Sequence, residues 1–359
     1  MKPAEEKPYA SVPVLFGTDR RQGESRKAKW GDNVDTFGGE SQFKLVLGKA
    51  VVTVPIQKGV RERGSVPRPE LIVFGFRVPW GTEQLDKHFT IYSARTLDEA
   101  GFLAEVKANL EKSKSLEKHA FLFVHGYNVT FEDSLYRTAQ IAHDLEFDGA
   151  AFMYSWPSKG DPKAYLYDED RAKGARPHLR AYLEMIAAKT GVKNLHIVAH
   201  SKGAELLVDV LNELSATPDI AKRLRINEII LAAPDIDRAN FEQIAERIVG
   251  VAQRGVTLYA SNNDKALSLS NTIRLGTVRA GEVPADRGPV LVKGMDTIDI
   301  SAASTDFFGS NHITFAERQH LITDMRSILA KGQHPPDLRS ISLFKAITID
   351  RGKYWQYIK

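Results

Sequence analysis

The sequence predicts an α/β fold, with a mostly parallel central sheet covered by helices on both faces and an irregular β-rich N-terminal extension. Three observations carry this. From about residue 119, short apolar runs of strand length alternate with amphipathic helical stretches, the pattern of strands joined by crossover helices. Before that, β-branched and aromatic runs are separated by long polar segments rich in Gly and charge. With 359 residues, 43% hydrophobic and 26% charged, the composition is that of a globular chain able to bury a large core.

In chain order, residues 12–16, 50–54 and 71–74 read as leading strands, with a long surface loop over roughly 18–46. Residues 120–124 form the first core strand. Thr130 then caps a helix that places Phe131, Leu135, Thr138, Ala142 and Leu145 on one face. The next strand spans 149–154, followed by a polar, Tyr-rich crossover at 158–176 and a helix at 177–189. A buried strand at 195–199 leads into a helix with Ala204, Leu207, Val208 and Leu211 at i, i+3, i+4 and i+7. Strands at 226–232 and 256–260 flank a helix around 238–248. A strand at 297–300 and a helix with Leu321, Met325, Ile328 and Leu329 on one face end the series. The tail from Pro335 is an added strand or a partner-binding extension, and packing on its own domain is the simpler reading. These textures divide the chain into an N-terminal extension (1–110), a core (111–332) and a C-terminal extension (333–359).

Several function classes drop out. The chain has no cysteine, which excludes disulfides, thiolate catalysis and zinc–thiolate sites. No apolar run approaches the roughly 18 residues of a membrane-spanning helix, and the charged N-terminus has no signal-like apolar segment. The expectation is a soluble protein, cytoplasmic, or exported if a leader has been removed. A net charge of +4 does not suggest nucleic acid. The basic cluster Arg20, Arg21, Arg26, Lys27 and Lys29, and a second at Lys58, Arg61, Arg63 and Arg68, read as solvated loops, since no aromatic side chains interleave them. Neither Gly-rich nucleotide-binding pattern occurs. No metal or organic cofactor is called for.

The densest chemical signal is Ala199-His200-Ser201-Lys202-Gly203, set between the buried strand and its amphipathic helix. Small residues two before and two after Ser201 let strand and helix approach closely. The serine is then held at the apex of a strained turn, with Ala in place of the first Gly of the G-x-S-x-G elbow. Its hydroxyl projects where the backbone N–H of Lys202, at a helix N-terminus, also points, so one turn supplies a nucleophile and part of an oxyanion site.

Functional groups of a doubly wound sheet collect beyond the carboxyl ends of its strands. A serine hydroxyl needs a neighbouring base of near-neutral pKa. His312, in the loop between the last strand and last helix, has the chain position for it. Asp264, after the penultimate strand, is the first choice for the acid that orients the imidazole, and Asp235 is the alternative. The second oxyanion donor falls to the Tyr127 N–H in His125-Gly126-Tyr127-Asn128 after the first core strand, with His125 read as structural. Asn128, Trp156, Tyr165 and Tyr167 stand at the same end of the sheet as pocket wall or as packing.

Together these segments resemble the α/β-hydrolase superfamily, and more narrowly the bacterial esterase/lipase-like family known as DUF900. The likeness runs from about Val12 to Leu329. It rests on Val-Pro-Val-Leu-Phe-Gly-Thr-Asp-Arg20, Phe-Val-His-Gly-Tyr-Asn128, Ser-Trp-Pro-Ser158, Ala-His-Ser-Lys-Gly203, Ala-Ala-Pro-Asp-Ile-Asp237 and Asn-Asp-Lys-Ala-Leu267. It implies a serine hydrolase with Ser201 as nucleophile. The expected reaction is hydrolysis of a small-molecule carboxylic ester through an acyl-enzyme; amidase, thioesterase or acyltransferase chemistry would use the same parts, and a non-catalytic binding protein that keeps the fold is the alternative from another class. Members often carry Met after that serine and Gly-His in the histidine loop. Here Lys202 suggests a cation at the site mouth that favours acidic or polar acyl groups, and Ser310 and Asn311 separate Gly309 from His312.

Overall fold

A computed structural model describes residues 7–73, 76–262, 277–303, 315–339 and 343–358. The N-terminal part contributes β1 (Tyr9–Gln22), β2 (Arg26–Lys27), β3 (Asn33–Val34), β4 (Phe37–Pro55), β5 (Glu70–Val73), β6 (Phe76–Pro79), β7 (Thr90–Leu97) and α1 (Glu99–Leu110). The core then alternates: β8 (His119–Val124), α2 (Phe131–Asp144), β9 (Ala150–Ser155), α3 (Tyr165–Lys189), β10 (Asn194–His200), α4 (Lys202–Ser215), α5 (Pro218–Leu224), β11 (Ile226–Ala232), α6 (Arg238–Val251), β12 (Gly255–Ala260), β13 (Met295–Asp299) and α7 (Phe315–Lys331). A hairpin of β14 (Phe344–Ile349) and β15 (Gly352–Tyr357) follows.

Thirteen of these strands form one sheet in the order β14-β15-β13-β12-β11-β10-β8-β9-β1-β4-β7-β3-β2. Pairing is parallel from β15 through β1, and antiparallel where β1 meets β4 and β4 meets β7. The tail therefore packs on its own sheet as an added strand pair.

The core strands are buried on both faces because their side chains alternate between two apolar layers. Leu122, Val124, Ile197, Ala199, Ile229 and Leu231 pack with α1, α3, α4 and α6. Phe121, Phe123, Val198, Ile230 and Ile298 face α2 and α7 on the other side. The Thr130 cap is a reciprocal box: its hydroxyl accepts from the Asp133 N–H at 3.1 Å, and the Asp133 carboxylate accepts from the Thr130 N–H at 3.1 Å.

Two segments differ from the sequence reading. Most of the stretch expected as an 18–46 loop is strand: β1 and β4 stay paired as far as Gln22 and Phe37, with bulges either side of Arg20. Half-exposed polar residues along β4 hide the strand signal there. Helix α3 begins at Tyr165 and runs through Pro177, the expected helix start, so Tyr165 and Tyr167 belong to a helical turn and not to a crossover loop. Among the described residues, no helix is long and apolar enough to cross a membrane.

The chain runs from β8 outward to β9, then crosses back to β10 on the other side of β8 and continues outward through β11, β12 and β13. The switch point lies between β8 and β10. The loops leaving their carboxyl ends, 125–130 and 200–202, flank the crevice where such sheets bind ligands.

Candidate active site

Ser201 occupies that crevice. Its backbone sits at φ 49°, ψ −121°, outside every region a serine adopts without strain, at a cost of about 1–3 kcal/mol. Backbone hydrogen bonds hold it there: the Ser201 N–H donates to the Ala232 carbonyl at 2.9 Å, and its own carbonyl accepts from the Ala204 N–H at 3.0 Å. Gly203 permits the close crossing of α4 over β8, since an added Cβ would lie 2.1 Å from the His125 carbonyl oxygen and 2.8 Å from that of Val124. The Ser201 hydroxyl is buried and finds no hydrogen-bond partner among the described residues. Lys202 is the first residue of α4, so its N–H is one of the amides that a helix N-terminus leaves without an intrahelical partner.

The 125–130 loop closes over the serine. A Cβ added to Gly126 would come within 2.7 Å of His200 Nδ1 and 3.1 Å of Ser201 Cβ, which brings the Gly126–Tyr127 peptide beside Ser201. Tyr127 donates its hydroxyl to the Pro162 carbonyl, and its ring meets that of Tyr165 edge-on at 5.3 Å. Asn128 has φ 58°, and its N–H donates to Asp168 Oδ2 at 3.1 Å. The buried Asp168 also accepts from Ser158 Oγ at 2.5 Å and the Lys159 N–H at 2.8 Å, and burial raises its pKa above the usual carboxylate value. His125 is enclosed and held neutral, its pKa pushed down to about 3 by burial and then by the Arg20 charge.

The Lys202 side chain departs from expectation. Its ammonium is fully buried, 2.7 Å from Glu205 and 3.0 Å from Asp235, over the Tyr165 ring. Burial works against its charge, but Asp235 and Glu205 outweigh that and raise its pKa. A neutralised, enclosed ammonium is no cation at the site mouth. Asp235, the alternative acid, also takes Arg279 Nε at 2.7 Å and the Tyr165 hydroxyl at 2.6 Å. That carboxylate thus ties the loop after β11 to α3, α4 and Arg279. Trp156 has no exposed surface. It stacks on His125 at 5.0 Å and donates to the His125 carbonyl at 2.7 Å, so among the described residues it serves as packing beneath the loop. Tyr167 donates to the Gly39 carbonyl at 2.9 Å. Asp264 and His312 lie outside the described residues.

The family model for alpha/beta hydrolases of unknown function (DUF900) matches residues 99–330, well over half of the chain. The protein belongs to that family. No curated protein matches this DUF900 chain. Among solved structures it is similar to a CIB-like hydrolase from Thermoplasma acidophilum, at 16% identity over 66% of this chain and 90% of that one, with a TM-score of 0.35. It is also similar to a serine hydrolase without lid from Xanthomonas campestris (15% identity, 60% and 80% covered, TM-score 0.35) and a thermophilic esterase from Thermogutta terrifontis (14%, 61% and 83%, 0.33). The DUF900 protein has the α/β-hydrolase fold, with the Ser201 turn and the 125–130 loop at one crevice.

Sequence reasoning missed the hub of that crevice. Arg20, assigned to a solvated cluster, is only 1% exposed and reaches the 125–130 loop from β1. No sequence signal marked it: the run from Tyr9 to Arg20 carries Pro13, Gly17 and Asp19, all turn formers, and Arg20 adjoins the exposed Arg21.

Proposed function

We propose that this protein is a carboxylic-ester hydrolase that works through an acyl-enzyme, with Ser201 as nucleophile. The conformation of Ser201 carries the reading: a strained backbone beyond the carboxyl end of β10, at the switch point, with a hydroxyl unpartnered among the described residues. Strain of this kind persists only where the surrounding structure enforces it, and it concentrates at functional sites.

In this reading, Ser201 Oγ attacks the ester carbonyl carbon while its proton passes to the His312 imidazole, which Asp264 orients. The carbonyl oxygen takes the negative charge and is held by the Tyr127 and Lys202 amides. Collapse breaks the carbon–oxygen bond, and the departing alkoxide takes the proton from the imidazolium. Water, deprotonated by the same imidazole, then attacks the acyl-enzyme. The carboxylic acid leaves, and Ser201 recovers its proton. The roles of His312 and Asp264 rest on chain order, after β13 and after β12 respectively.

Two measurements test this. A fluorophosphonate probe should label Ser201 and no other residue of the native protein, and Ser201→Ala should abolish labelling. On a series of p-nitrophenyl esters of increasing acyl length, Ser201→Ala should lower kcat by on the order of 10⁶. Turnover retained in that variant would refute the assignment.

A further inference from the structure

Arg20 spends a buried charge on neutral partners. Its Nε donates to Ser155 Oγ at 2.8 Å, Nη1 to the carbonyls of Ser158 at 2.7 Å and Gly38 at 3.1 Å, and Nη2 to the carbonyl of Val129 at 2.7 Å. Its fifth N–H faces His125 Nε2 at 3.3 Å. All five guanidinium donors are therefore placed, and among the described residues the group touches no carboxylate. Burying a cation without a contacting anion is expensive, and every donor but the Gly38 one goes to the loop after β8, to the last residue of β9 or to the segment that follows it.

The geometry at His125 has a chemical consequence. His125 Nε2 also lies 3.1 Å from Ser155 Oγ, the oxygen that accepts from Arg20 Nε and so turns its own proton toward the ring; with a guanidinium that only donates on the other side, Nε2 is an acceptor and the ring proton resides on Nδ1. His125 Nδ1 lies 2.8 Å from the Gly126 carbonyl oxygen and donates to it. The Gly126–Tyr127 peptide is trans, so its carbonyl and N–H point in opposite directions, and fixing the carbonyl fixes where the Tyr127 N–H is aimed. The connected hydrogen bonds also polarise one another, which strengthens the terminal donor.

We propose that Arg20, contributed by a strand outside the family-matched region 99–330, is a positioning residue for the oxyanion site: through the Nδ1–H tautomer of His125 it orients and polarises the Gly126–Tyr127 peptide. This rests on the serine-hydrolase reading above. The structure already separates Arg20 from a generic tie between strands, because Thr18 serves that purpose independently: its hydroxyl donates to the Ser155 carbonyl at 2.6 Å.

The test uses the full chain with Arg20→Gln and Arg20→Lys, reading the ¹⁵N shifts of His125 at pH 7, thermal stability, and kcat and KM on p-nitrophenyl butyrate. The native ring should give a protonated Nδ1 and an unprotonated Nε2. Arg20→Gln should mix the tautomers and lower kcat about 10²-fold, the scale of one lost oxyanion donor, with KM changed less than threefold. Arg20→Lys, which keeps the charge without the fork, should fall between. A native Nε2–H tautomer overturns the proposal even if neither variant folds, and so does a folded Arg20→Gln protein with kcat within threefold of native. Turnover surviving Ser201→Ala would instead sink the nucleophile assignment, leaving the His125 signature to decide the role of Arg20.

Discussion

Ser201 is held in a geometry that its own Cβ opposes, and under the proposed function this links activity to stability at one residue. Glycine occupies positive φ readily and serine does not. Ser201→Gly removes no hydrogen bond found among the described residues, because the hydroxyl makes none there, while the backbone bonds to Ala232 and Ala204 remain. The variant should unfold at higher urea than the native protein, by about 1 kcal/mol, and should not react with a fluorophosphonate. A lower urea midpoint would mean that the elbow carries no strain. The elbow was legible in sequence because small residues at 199 and 203 have one job at such a crossing. Arg20 was not, because what distinguishes it from Arg21 is the direction its side chain takes from a bulged strand; Arg21 stays on the surface with Glu40.

Between elements, a charged histidine fastens the segment after α7 to the sheet. His334 places Nδ1 2.6 Å from Asp296 of β13 and Nε2 2.7 Å from Glu228 of β11. Gly255 of β12 leaves it room, since an added Cβ would lie 2.5 Å from the imidazole. Burial opposes the charge, but the bonds to Asp296 and Glu228 prevail and push the pKa up to about 9. An imidazolium favoured in the fold stabilises it fully below the unfolded pKa of about 6.5, and that contribution is lost as pH rises through about 9. Urea midpoints at pH 6, 8 and 10 should therefore fall more steeply for the native protein than for His334→Gln; parallel slopes would remove the clamp. Core strands were readable from the sequence as continuous apolar runs because both faces are covered. The long β1–β4 pairing was not, because β4 exposes Glu40, Phe43 and Lys44 to water and so shows no continuous or alternating apolar pattern there. The clamp was invisible too, since its three members lie on separate elements and meet only in three dimensions.

At the scale of the whole molecule, the matched region 99–330 stops short of a closed structure. Strand β9 pairs with β8 on one side and with β1 on the other, in register from Leu15↔Phe152 to Thr18↔Ser155. Deleting the residues before 99 would bare the N–H and C=O groups of β9, open the layer where Val14, Phe16, Val52 and Phe89 meet Phe131 and Leu135 of α2, and remove Arg20 from the crevice. Removing β14 and β15 is a smaller insult, since β15 meets β13 at only Ile298↔Trp355 and Asp299↔Gln356, far from β8 and β10 in the sheet. A chain starting at 99 should accumulate as insoluble protein, whereas one ending at Arg339 should stay folded with a lower melting temperature and still react with a fluorophosphonate at Ser201. Soluble yield, near-UV circular dichroism and probe labelling of the two truncations decide it. A soluble, labelling-competent 99–359 chain would show that the β1–β4 layer is an accessory and that the crevice assembles without Arg20.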